Sequence, residues 1–203
     1  MGEIKYKGVT IELFGHSSVM LEWKGKRIYI DPYVLPKDPK KADIILFTHN
    51  HYDHCVDPSI LMKDDTKTIS LECKFASRRI HIGEELDIEG VKILAVYAYN
   101  PKKPFHPKGE GCGYIITLGG ARIYHAGDTD VIPEMKDYHC DIALLPIGGK
   151  FTMNVDEAAE AVKMIRPKTA IPMHYNTFDG IEASPSKFKA KVEKLGVVCI
   201  IFY

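Results

Sequence analysis

A single tryptophan, no CxxC pair and no surplus of charge of either sign characterise this 203-residue chain. Lys plus Arg and Asp plus Glu number 27 each, so the formal net charge is zero. That balance lacks the basic excess of a dedicated nucleic-acid binder and argues against nucleic acid as a partner. No apolar run approaches the roughly 18 residues that a bilayer-spanning helix needs, so no membrane partner is expected. The opening Met-Gly-Glu-Ile-Lys-Tyr lacks the apolar segment of a signal peptide. Gly2 does not open a myristoylation motif, because Tyr6 stands where that motif wants Ser or Thr. Low-complexity tracts and short-period repeats are missing too. The five cysteines (Cys55, Cys73, Cys112, Cys140, Cys199) are odd in number, a pattern that fits reduced, mostly buried thiols better than a disulfide framework. The expectation is a soluble cytoplasmic protein; a homo-oligomer is compatible with the sequence.

Apolar residues make up 45% of the chain and charged residues 27%, ordinary for a globular protein with a sizeable core. Residues 1–203 are expected to form one domain. The first third predicts short strands over 9–14, 19–23 and 27–30, with turn signals at Gly15 and Lys24-Gly25. Residues 43–47 form an apolar run suited to a strand buried on both faces. Further strands are expected over 91–97, 113–118, 122–124, 142–145, 170–171 and 197–202. Asn154, with Glu157 three residues on, caps an amphipathic helix that Pro167 ends. Ser184 and Pro185 open a second, which Gly196 closes. Shorter helices are expected after Asp57-Pro58 and after Val131. This order suggests packed strands with helices outside.

The chemistry concentrates in Thr48-His49-Asn50-His51-Tyr52-Asp53-His54, directly after the buried run. Alternate residues of extended chain face the same way, so His49 and His51 can grip one metal ion. A turn beginning at Asp53 can aim Asp53 and His54 at a second. Nitrogen and oxygen ligands of this kind suit Zn, and also Mn or Fe.

This HxHxDH segment resembles the signature of the metallo-β-lactamase superfamily of metal-dependent hydrolases. Later landmarks fall in that family's order, in Tyr124-His125-Ala126-Gly127-Asp128-Thr129 and in Ile171-Pro172-Met173-His174-Tyr175. The resemblance implies a four-layer αββα sandwich, of α/β class, in which two mixed β-sheets are flanked by helices. It also implies two divalent metal ions, with His49, His51 and His106 on one, Asp53, His54 and His174 on the other, and Asp128 joining both. His106, in Phe105-His106-Pro107-Lys108-Gly109, resembles the family's His-x-x-Gly stretch; His81 falls too early and is expected to be structural. Within the superfamily, Gly15-His16-Ser17-Ser18, Ile30-Asp31-Pro32, Pro146-Ile147-Gly148-Gly149 and Pro172-Met173-His174-Tyr175-Asn176-Thr177 are most similar to the small branch related to L-ascorbate-6-phosphate lactonase. The β-lactamases proper place a cysteine where this chain has Asp128, which argues against antibiotic hydrolysis.

Two ions, two carboxylates and a bridging hydroxide leave such a cluster with a charge near +1, favouring a small anionic substrate and a developing oxyanion. A metal lowers the pKa of its bound water from 15.7 to about 7, giving hydroxide at neutral pH. The expected activity is hydrolysis of a small anionic ester or lactone, a sugar-phosphate lactone among them. The alternative is a phosphodiesterase acting on nucleotides or short nucleic acid. An iron site handling oxygen and a metal-binding module without catalysis are the readings from other classes. Asp31 is expected to support a metal-bound histidine and His16 to line the site. Tyr175 or His16 is the candidate for leaving-group protonation. His125 and His139 are expected to be structural, and Cys55 to pack at a helix start. Lys102, Lys103, Lys108 and Lys150 are placed where they could meet a phosphate.

Overall fold

The computed structural model describes residues 2–202. Seven strands form the first sheet in sequence order: β1 (Gly2–Tyr6), β2 (Val9–Gly15), β3 (Ser18–Trp23), β4 (Lys26–Ile30), β5 (Ile44–Phe47), β6 (Lys67–Ser70) and β7 (Arg78–Arg79). Seven more form the second, again in order: β8 (Glu85–Ile88), β9 (Val91–Tyr97), β10 (Cys112–Leu118), β11 (Ala121–His125), β12 (Ile142–Pro146), β13 (Thr169–Met173) and β14 (Val198–Cys199). In each sheet the first four strands pair antiparallel and the rest parallel.

This repetition reaches individual residues. Arg27-Ile28-Tyr29 on β4 matches Arg122-Ile123-Tyr124 on β11, and Asp43-Ile44 at the start of β5 matches Asp141-Ile142 at the start of β12. The amide of Arg27 donates to Asp43 Oδ2 at 2.7 Å, and the amide of Arg122 donates to Asp141 Oδ2 at 3.1 Å. Asp43 and Asp141 answer with their own amides, which donate to the carbonyls of Arg27 and Arg122. The chain is thus built from two similar halves, and their parallel strands deliver chain ends to one edge of the sandwich.

The core lies between the sheets, where strand faces alternate: β2 buries Val9, Ile11 and Leu13 while Thr10 and Glu12 are half-exposed. β5 and β12 are buried along their whole length, as central parallel strands should be. Helices α1 (Val155–Ile165) and α2 (Pro185–Glu193) cover the second sheet, α1 against β12 and α2 against β13 and β14. Asn154 and Glu157 form a complete capping box on α1, and Ser184 Oγ accepts from the Lys187 amide at the start of α2.

The α/β sandwich of two mixed sheets is as expected, with local departures. Over the first sheet, the outer cluster of Met20, Tyr29, Ile45, Phe47 and Leu61 is closed by turns. The stretch after Asp57-Pro58 makes only i→i+3 bonds (Leu61 to Pro58, Met62 to Ser59) and does not extend into the expected helix. The stretch after Val131 is a short 3-10 helix, Pro133–Asp137. The expectation of reduced thiols fails for two residues: Cys55 and Cys73 form a disulfide in this outer layer, and Cys55 does not sit at a helix start, since no helix lies between β5 and β6. Cys112, Cys140 and Cys199 are free. No helix among the described residues is long and apolar enough to cross a membrane.

Candidate metal centre

Strand β5 ends in Phe47, and the chain then turns sharply, the amides of His54 and Cys55 donating to the carbonyl of His51. Asp31, at the end of β4, organises this turn. Its Oδ1 accepts from the Thr48 amide at 2.8 Å, and its Oδ2 accepts from Thr48 Oγ1 at 2.6 Å and from His54 Nδ1 at 2.7 Å. Because Thr48 Oγ1 spends its proton on Asp31, it accepts from His49 Nδ1 at 3.0 Å. Asn100, after β9, plays the same part for His106: its Oδ1 accepts from the His106 amide at 3.0 Å and from Nδ1 at 2.8 Å.

His49, His54 and His106 therefore each commit Nδ1–H to an oxygen and turn Nε2 inward, as metal-binding histidines do. His54 Nε2 and His106 Nε2 are buried without a hydrogen-bond partner, and so are both ring nitrogens of His174 and Asp128 Oδ1. Buried polar atoms are rarely left so, and a cluster of them facing one another fits metal ions. The candidate ligand atoms fall into three groups: His49, His51 and His106; His16, Asp53, His54 and His174; and His49, His54 and Asp128, which shares a histidine with each of the other two. Asp128 lies between them. Its Oδ2 is 3.3 Å from His106 Nε2 and 3.0 Å from His174 Nε2, and its Oδ1 is 3.4 Å from His54 Nε2. The seven residues expected as ligands are thus brought together.

Gly127, at φ 63°, makes the approach of Asp128 feasible: a Cβ there would stand 2.9 Å from the Cys112 carbonyl and 3.1 Å from Thr48 Cβ. His16, in the β2–β3 turn, joins the second group as more than a lining residue. Its Nε2 is 3.1 Å from Asp53 Oδ2 and its Nδ1 2.7 Å from Thr177 Oγ1. His125 is structural, as expected. Gly127 N–H donates to its Nδ1, and its Nε2 donates to the Ser17 carbonyl at 2.9 Å. His81 and His139 are exposed and stand outside these groups. Tyr175 borders an adjoining hollow, shared with His16, His174, Thr177 and Phe202, and does not line either cavity over the cluster.

Charge in this setting is sharply tuned. Burial opposes a proton on His54, yet Asp128 and Asp31 prevail and raise it to about 9. Burial and the neighbouring His54 hold His49 well below the ordinary histidine value. Burial lowers His106 and His16 as well, against the pull of Asp128 and Asp53 respectively. Burial works to raise Asp128, but His174 and His54 outweigh it and keep that carboxyl well below its usual range.

Sequence inspection missed Asn100, Thr48 and Thr177, none of which carries a motif of its own. It also missed the fate of the lysines. Lys103 Nζ donates to Asp130 Oδ1 and to the Thr152 carbonyl, both at 2.6 Å, and Lys108 Nζ donates to Glu134 Oε1 at 2.8 Å.

The profile of the Beta-lactamase superfamily domain matches residues 10–174. A UPF0173 metal-dependent hydrolase of Nanoarchaeum equitans is 38% identical over 213 residues, covering 95% of this chain and 96% of the relative. One from Thermoplasma acidophilum is 38% identical over 212 residues, covering 92% of each. The structure of Igni18, a metallo hydrolase of Ignicoccus hospitalis, superposes with a TM-score of 0.82 at 33% identity, over 96% of this chain and 94% of that one. The fold, the clustered histidines and these likenesses agree: the chain belongs to the metallo-β-lactamase superfamily, among its UPF0173 metal-dependent hydrolases.

Proposed function

We propose that the protein is a two-metal hydrolase that opens a carboxylic ester or lactone. His49, His51 and His106 would hold one ion and Asp53, His54 and His174 the other, with Asp128 shared. Zn suits this donor set, and Mn or Fe would also be accommodated. The observation that carries the reading is the position of Asp128, within 3.4 Å of histidine nitrogens from both groups while its own Oδ1 has no hydrogen-bond partner. When bound, the ions supply Lewis acidity toward an acyl oxygen and a water acidified into the neutral range.

The protein's own side chains orient that chemistry. Asp31 fixes the ring of His54, Asn100 that of His106, and His16 steadies Asp53 through its 3.1 Å contact. Neither His16 nor Tyr175, the candidates for leaving-group protonation, lines the cavities over the cluster; both border the adjoining hollow, and both ring nitrogens of His16 are engaged, by Asp53 and Thr177.

A net positive cluster favours an anionic substrate or an oxyanion developing on an acyl carbon. A separate phosphate finds little support: Lys103 and Lys108 are engaged by carboxylates, and neither cavity over the cluster is lined by Lys or Arg. This favours the ester or lactone over the phosphodiester. The resemblance of Gly15-His16-Ser17-Ser18 and of the stretch 172–177 to the L-ascorbate-6-phosphate lactonases keeps a sugar-phosphate lactone in the test. Metal-reconstituted protein should hydrolyse a lactone in preference to an activated phosphodiester, and chelation should abolish this. Preference for the phosphodiester would move the protein to the nucleotide-cleaving alternative.

A further inference from the structure

The cavity beside Asp53, Asp128 and His174 has a volume of about 350 Å³, room for a small organic molecule. Its walls are aromatic to a degree that the metal chemistry does not require. Tyr52, Phe105, Phe151 and Phe178 all line it. Tyr52 is 72% exposed, and Tyr33, packed against both Tyr52 and Phe178, is 37% exposed. The rings of Tyr33, Tyr52 and Phe178 form a cluster with centroids 6.1 to 6.4 Å apart, and Phe105 meets Phe151 edge to face at 4.8 Å.

These rings come from separate connections: Tyr33 follows β4, Tyr52 lies in the histidine turn, Phe105 follows β9, Phe151 follows β12 and Phe178 follows β13. Core packing does not explain their meeting, since they stand at the mouth of the cavity and belong to neither core cluster. The Tyr33–Tyr52–Phe178 group also touches the reactive side, for the His16 ring lies 5.0 Å from Phe178 and 5.9 Å from Tyr33. Asp179 adds negative charge to this cavity, and Glu72 and Glu110 add it to the adjoining one. An aromatic wall with carboxylates at its rim gains by covering an apolar ring and repels a phosphate.

We infer that this cavity is a subsite for an apolar, planar group, so that the preferred substrate is an ester or lactone with an aryl group beside its scissile carbonyl. The identity of the reaction rests on the hydrolase reading above; the binding preference does not.

The test uses zinc-loaded protein and three probes, phenylacetate, acetate and inorganic phosphate, with dissociation constants measured by calorimetry. Burying one ring predicts that phenylacetate binds at least about tenfold more tightly than acetate. Tyr52→Ala should shrink that ratio to about threefold or less and Tyr52→Phe should retain it, because the loss belongs to the ring. Equal binding of the two carboxylates, an unchanged ratio in Tyr52→Ala, or tightest binding of phosphate would each overturn the inference. Methyl phenylacetate and methyl acetate are then compared as substrates. Aryl selectivity in binding with neither ester hydrolysed would keep the subsite and overturn the hydrolase reading; hydrolysis of both without selectivity would do the reverse.

Discussion

The backbone N–H of His174 donates to the carbonyl oxygen of His16 at 2.8 Å, and both residues stand in the left-handed region with φ of 53°. Their rings are 4.0 Å apart. Asp31, at φ 46°, shares the same sparsely populated conformation. Such backbone is held only where its surroundings over-determine it, and it concentrates at functional sites. Here it lets chain ends from both sheets turn their side chains into one cluster.

Gly148 is part of what holds His174 in that pose. A Cβ at this position would lie 2.5 Å from the His174 carbonyl and 3.0 Å from Ile181 Cβ, and a backbone oxygen cannot swing aside. Gly148→Ala should therefore cost about 2 kcal/mol of stability, as overpacking does. It should also weaken metal retention by the group containing His174. Thermal unfolding and metal content after dialysis read the two effects, and a variant with wild-type values for both would contradict this role.

Asn100 and Asp31 support different histidines, so their variants should be separable. Asn100→Ala removes the acceptor of His106 Nδ1, and Asp31→Asn the charged acceptor of His54 Nδ1. Each should lower metal affinity about 10–100-fold. The first should act on the ion held by His106, and the second, which also disturbs His49 through Thr48, should weaken the ion held by His54 most. Competition titration with a chromogenic chelator resolves this, and loss of both ions together in both variants would contradict the assignment.

Asp141 ties the second half to the first, accepting from the Arg122 amide and from Tyr6 Oη, with Lys7 and Lys168 beside it. Burial works to raise its carboxyl, yet the bonds from Lys168, the Arg122 amide, Tyr6 and Lys7 hold it well below the usual carboxylate range. A depressed folded value means that its stabilisation is present above the unfolded value of about 4 and is lost as pH falls through the folded one. Asp141→Asn should cost about 1–2 kcal/mol at pH 7. The cost should shrink in strong acid, and denaturant melts showing the same cost at both extremes would refute the linkage.

Much of this arrangement is legible because it is local. HxHxDH packs four candidate ligands into six positions after an apolar strand, and the capping signals of Asn154-Glu157 and Ser184-Pro185 act within one helical turn. What escapes is set by partners distant in sequence or by weak patterns. Asn100 is six residues from the histidine it orients, in a loop without periodicity, and Thr48 acquires its role only through Asp31, 17 residues away. Strands β6 and β8 are four residues long and only partly apolar, so no alternation announces them. The expected final strand over 197–202 reduces to Val198–Cys199, with one further backbone bond from the Ile200 amide to the Ala170 carbonyl at 3.1 Å. The Cys55–Cys73 pair is invisible because its separation of 18 residues matches no spacing rule.

The most direct test of the two-metal account is to count ions. The protein is reconstituted with excess zinc, dialysed, and its zinc measured against protein by elemental mass spectrometry. The expected result is two ions per chain, falling to one in His106→Ala and below one in Asp128→Ala. A parent protein that holds a single ion, or an Asp128→Ala variant that still holds two, would contradict a shared centre built on Asp128.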